Sequence, residues 1–110
     1  MKAFRTLDLA IEFSQAACEI KFKGQLKEQL QRAATSIALN LAEGNAKGSA
    51  KEKRNFFHTA YGSLRECQTI FKLVKMNDKK LLNQADALGA SLYKLVNSEL
   101  KDSPNWKKGH

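Results

Sequence analysis

A chain of 110 residues with 43% apolar side chains is long enough for one packed domain and too apolar for a disordered tail. Its net charge of +8 points toward polyanionic partners, while one proline and six glycines are too few breakers for a many-turned β fold. No window approaches the ~20 apolar residues that span a bilayer, and the start, MKAFRTLDLAIEF, lacks the apolar run of a signal peptide, so a soluble cytoplasmic protein with no membrane contact is expected.

The first helix is expected over residues 6–22, with Thr6 as N-cap and Asp8 in the first turn, where the helix dipole favours an anion. Leu7, Ala10, Ile11, Cys18 and Phe22 mark one apolar stripe, and Leu9, Phe13, Ala16 and Ile20 mark an adjoining one. Lys23 and Gly24 end the segment. The second helix is expected over residues 25–43, from the recurrence of Leu26, Leu30, Ala33, Ile37 and Leu41 at helical spacing. Ala34 and Ala38 broaden that stripe, and Gly44 is placed to close the helix with a positive φ.

The third helix, residues 50–77, starts behind a capping box of Ser49 and Glu52. Phe57, Ala60, Leu64, Cys67, Phe71 and Val74 form a heptad seam along it. Asp78 caps the fourth helix, residues 79–101, whose ladder is Leu81, Ala85, Leu88, Leu92 and Leu95. Asp102-Ser103-Pro104 stops it, and residues 103–110 form a basic C-terminal tail containing Trp106. Four amphipathic helices with short connections predict an all-α, up-down-up-down antiparallel four-helix bundle over residues 1–102. An extended helical hairpin completed by partners satisfies the same periodicity.

Cys18 and Cys67 fall on the apolar stripes, which favours two buried thiols over a disulfide. With His58 and His110 isolated, their spacing is no zinc pattern, and no metal or other cofactor is expected. In the bundle topology the cations sort to two ends. One end collects Lys21, Lys23, Lys27, Lys72, Lys75, Lys79 and Lys80; the other collects Lys2, Arg5, Lys47, Lys51, Lys53, Arg54, Lys101, Lys107 and Lys108. The run Lys51, Lys53, Arg54 occupies the first turns of a helix, where the macrodipole disfavours cations. Phosphate binding is a reason for it to be there; solvation of helix ends is the plainer one.

Ser36, Asn40 and Glu43 line one edge of the second helix, and Thr59, Ser63 and Glu66 one edge of the third. Small residues surround them. Gly62, in a helix interior, costs ~1 kcal/mol against alanine, which the close approach of another helix would explain. Arg32 and Arg65 are the available partners for Glu43 and Glu66, within the chain or in a neighbouring subunit. Neither carboxylate has a histidine at useful helical spacing, and no phosphate loop or Ser-His-Asp set occurs, so catalytic residues are not expected.

QLQRAATSIALNLAEG at residues 29–44, then the Ser49-Glu52 box, then Phe56, Ala60, Gly62, Ser63 and Glu66, resemble the four-helix-bundle family encoded in intervening sequences of large-subunit ribosomal RNA. That family includes the accessory variability determinant of diversity-generating retroelements. The resemblance implies a homo-oligomeric ring, most often a homopentamer, with relatives that bind nucleic acid and associate with a reverse transcriptase. Carried onto this chain, its signature positions are Arg32, Ser36, Asn40, Glu43, Gly44, Ser49, Glu52, Gly62, Ser63 and Glu66, read as capping and helix-contact residues.

The expected function is therefore a non-enzymatic, oligomeric RNA- or DNA-binding bundle of low sequence specificity. Its candidate phosphate contacts are Lys47, Lys51, Lys53, Arg54, Lys72, Lys75, Lys79, Lys80, Lys107 and Lys108, and Trp106 is the obvious stacking residue. The alternative is a protein-interaction scaffold that does not touch nucleic acid, whose mark would be an exposed apolar patch.

Overall fold

The apolar ladders expected on the second, third and fourth segments are the ones that go inside. The structure, a computed structural model, describes residues 2–101, with side chains from 5 to 97. These residues form α1 (Lys2–Glu19), α2 (Gln25–Asn45), α3 (Ala50–Leu73) and α4 (Lys79–Lys101), with no strand among them. Helices α1 and α3 each pack on both α2 and α4, so each helix has two neighbours around a square. The two short dimensions, 27 and 22 Å, each hold two helices of ~10–12 Å diameter.

Leu30, Ala33, Ile37 and Leu41 of α2, Phe57, Ala60, Leu64, Cys67 and Phe71 of α3, and all five ladder residues of α4 are buried. Full burial of each large side chain contributes about 1.5–3 kcal/mol against exposure. Phe13 of α1 reaches Phe71 of α3 edge to face, with ring centroids 6.1 Å apart at 78°, so aromatic contact crosses the diagonal of the square.

α1 departs from expectation. It begins at Lys2, so Thr6 lies inside the helix rather than at its cap, and no acidic residue occupies the first turn. Thr6 is 1% exposed, and its Oγ1 lies 2.6 Å from Ser91 Oγ of α4. A buried hydroxyl needs such a partner, and this one permits a threonine to face the core. The buried line of α1 is Thr6, Ala10, Phe13 and Ala17, which runs between the two expected stripes. Ile11, 42% exposed, and Cys18 consequently point outward.

The helix ends also differ. α1 stops at Glu19 rather than residue 22, and Lys27 Nζ satisfies its end by donating to the carbonyls of Ala17, at 3.1 Å, Cys18, at 3.2 Å, and Ile20, while also lying over the Phe22 ring. Gly24, with φ 105°, then turns the chain into α2. Gly44 does not have a positive φ: α2 continues through it to Asn45. Its lack of a side chain serves packing. A Cβ there would fall 2.7 Å from Phe57 Cε1 and 2.9 Å from Phe56 Cβ.

α3 ends at Leu73, short of residue 77. Met76 N–H donates to Phe71 O at 2.8 Å and Lys75 N–H to Lys72 O at 3.3 Å, the paired closure of a Schellman motif. Its left-handed residue is Lys75, at φ 54°, in a conformation that costs a side-chain-bearing residue roughly 1–2 kcal/mol. The closure folds Met76 back against the core, which extended helix could not do.

Candidate nucleic-acid interface

The polar edges of α2 and α3 meet. Ser63 Oγ donates to Ser36 Oγ at 3.0 Å, and Asn40 Nδ2 donates to Ser36 Oγ at 3.0 Å and Ser36 O at 2.9 Å. These groups form a satisfied polar seam between two helices of one chain. Glu43 is outside it, 3.7 Å from Lys47 Nζ in the one ion pair among the described residues. The expected pairing of Arg32 or Arg65 with Glu43 or Glu66 does not occur within the chain. Gly62 is exposed, and nothing lies within 4 Å of a Cβ built on it. No helix of this chain approaches it closely. The helix glycines that do admit a neighbour are Gly44, against Phe57 and Phe56, and Gly89, where a Cβ would fall 3.3 Å from Leu64 Cδ2.

At the α2–α3 turn, Ser49 Oγ accepts from Glu52 N–H at 3.2 Å and donates to Glu52 Oε1 at 3.0 Å. The serine thus caps α3 as expected, while the glutamate holds the serine hydroxyl. The cations around the turn divide. Lys53 Nζ donates to Asn45 O at 3.2 Å, and Lys47 Nζ lies 5.3 Å above the Phe56 ring as well as beside Glu43. These contacts close the turn. Arg54 is half-buried and Lys51 exposed, without ion pairs.

The other group of cations sits where the α1–α2 and α3–α4 connections come together. Residues 19–22 and 74–78 line one cleft of about 500 Å³. Helix α2, 21 residues long, separates this region from the α2–α3 turn by ~30 Å. Lys21, Lys23, Lys72, Lys75, Lys79 and Lys80 are all exposed and none is in an ion pair. Lys72 lies in the last turn of α3, where the dipole favours it, but Lys79 and Lys80 lie in the first turn of α4, where it does not. Asp78 caps α4, its Oδ1 accepting from Leu81 N–H at 3.0 Å, and forms no ion pair with these lysines. Lys27, grouped with these cations by sequence, is occupied by the end of α1. Sequence reasoning missed that role; a lysine eight or so positions past a fraying helix end was the signal. Lys107, Lys108 and Trp106 lie outside the described residues.

Cys67 is buried, and burial, reinforced by the charge of Glu66, pushes its thiol from 9.0 up to about 12. It stays protonated near neutral pH and is a packing residue rather than a nucleophile. Cys18 is free and exposed. His58 is exposed on α3, and no group of His, Cys, Asp or Glu among the described residues is arranged to hold a metal.

Helices packed in a square, a polar seam between the middle two, and unpaired cations gathered at paired loops define a small basic four-helix bundle. Over residues 2–100 the chain matches the family described as 23S rRNA-intervening sequence protein, and it belongs to that family. Neither a curated protein nor a solved structure matches it significantly.

Proposed function

We propose that this protein is a non-enzymatic, cytoplasmic nucleic-acid-binding bundle that grips phosphates with the lysines around its paired loops. The observation that carries this is the exposure of Lys21, Lys23, Lys72, Lys75, Lys79 and Lys80 without an ion pair among them. Unpaired cations release counterions from a phosphate backbone on contact and confer little base specificity. The family's tie to ribosomal RNA favours RNA as the ligand.

The helices run up-down-up-down in this proposal. The Thr6–Ser91 contact, the approach of Phe57 to Gly44 and the shared cleft of the two loops all support that order. The chains assemble as a homo-oligomeric ring, a pentamer by resemblance, with a reverse transcriptase as a partner of the retroelement members. Support for a contact between copies comes from the outer face of α2 and α3. There Gly62 is open, Leu39 is 62% exposed, and Arg32 and Glu66 have no ion pair among the described residues. The same Leu39, with Leu73 at 64% exposure, favours a protein-interaction scaffold as the second reading.

Fluorescence anisotropy with labelled duplex and single-stranded RNA at two salt concentrations, on protein sized by light scattering, tests the proposal. Affinity should fall with salt by ~0.9 log units per log unit for each duplex phosphate contacted. Absence of binding at low salt would leave the scaffold reading in its place.

A further inference from the structure

Beside the paired loops, an open groove of about 420 Å³ runs between α3 and α4, within the size range of small-ligand clefts. Its rim carries Arg65 and Lys72 of α3 and Lys75 of the α3–α4 connection, all exposed and none in an ion pair. Met76 and Leu82, half-buried against the core, give it an apolar floor. Gln68 and Asp86 add an amide and a carboxylate. Three cations around an apolar floor match a ligand that is anionic at one end and flat and weakly polar at the other.

Lys75 adds a second observation. At the left-handed position that closes a helix, glycine is the favoured residue, and here a lysine holds that backbone at φ 54°. Lys75 lines both this groove and the cleft between the two loops. Glycine would relax the backbone and remove the cation. Strain of this kind clusters at ligand-binding positions.

We propose that the groove takes one unstacked nucleotide of an unpaired strand. Its phosphate would lie on Arg65, Lys72 and Lys75 and its base on Met76 and Leu82, with Gln68 and Asp86 meeting the base edge. A regular duplex keeps its bases stacked and offers only phosphates, so the groove gives the protein a preference for bulges and single strands. This rests on the nucleic-acid-binding function proposed above and names the site within it.

The test compares an RNA hairpin bearing one bulged nucleotide with the same hairpin fully paired, by anisotropy, for the intact protein, Lys75→Gly and Met76→Gln. The intact protein should bind the bulged hairpin about tenfold more tightly, the gain expected from burying one base face on an apolar surface. Lys75→Gly should melt at a higher temperature than the intact protein yet lose most of that preference, and Met76→Gln should lose it with little change in salt dependence. Equal binding of both hairpins by the intact protein, or a full preference surviving in Lys75→Gly, overturns the groove while leaving phosphate binding standing. Failure to bind either hairpin at low salt overturns both.

Discussion

The two basic regions look alike in sequence and differ in what their charges are doing. Around the α2–α3 turn, Lys53 holds the Asn45 carbonyl and Lys47 lies between Glu43 and the Phe56 ring. Around the paired loops, Lys72, Lys75, Lys79 and Lys80 are exposed and have no ion pair. At the turn two lysines are engaged in closing it while Lys51 and Arg54 have no ion pair; at the paired loops only Lys27 is engaged and the rest are left to solvent or a ligand. Formal charge therefore overstates what the turn can offer to a phosphate backbone.

The contrast can be broken most sharply by charge removal. Replacing Lys72, Lys75, Lys79 and Lys80 with glutamine should weaken duplex binding on the order of a hundredfold at low salt and flatten its salt dependence by ~0.9 for each phosphate no longer neutralised. The pair Lys47→Gln and Lys53→Gln should leave the slope nearly unchanged and lower the melting temperature instead. A larger change of slope from the turn pair would reverse the assignment of the two regions.

Next in size is the packing of the turn. Gly44→Ala places a methyl against Phe57 and the Cβ of Phe56, and should destabilise the fold by about 2 kcal/mol in urea denaturation, despite alanine's better helix propensity. Normal stability in that variant would mean the turn is looser than its packing indicates. Near the paired loops, Lys27→Met removes the donor to the last carbonyls of α1 and should cost about 1 kcal/mol in the same measurement. Its effect on the salt slope should be slight, which would separate this lysine from its exposed neighbours.

The smallest effect is expected at Gly62. In a monomer, Gly62→Ala should stabilise α3 by up to ~1 kcal/mol, because nothing among the described residues occupies the space. Destabilisation or a smaller assembly by light scattering would instead assign that space to a second copy.

The α4 ladder is legible in the sequence because leucines at one helical spacing have a single face to bury. α1 is not, because its two adjoining stripes leave its rotation undetermined. The residue that decides it, Thr6, is polar and depends on a hydroxyl 85 positions away. Local pattern cannot carry that information. Gly44 stands out in the sequence, but its position suggests the wrong role. A glycine near a helix end suits either a left-handed closure or a close neighbour, and only the approach of Phe57 distinguishes them. The candidate site is legible as a set of lysines. Which of them are occupied depends on carbonyl groups and ring faces, and those are set by how helices end.

The contacts that close the α2–α3 turn have a kinetic consequence. The cap of Ser49, the bond from Lys53 to Asn45 and the seating of Phe57 on Gly44 all join residues close in sequence. Loops of about ten residues close in ~10–100 ns, long before distant segments find each other. The α2–α3 hairpin is thus the pair expected to assemble first, offering α1 and α4 a ready apolar surface on which to dock, and it ties the rate of folding to a segment separate from the lysines proposed to bind.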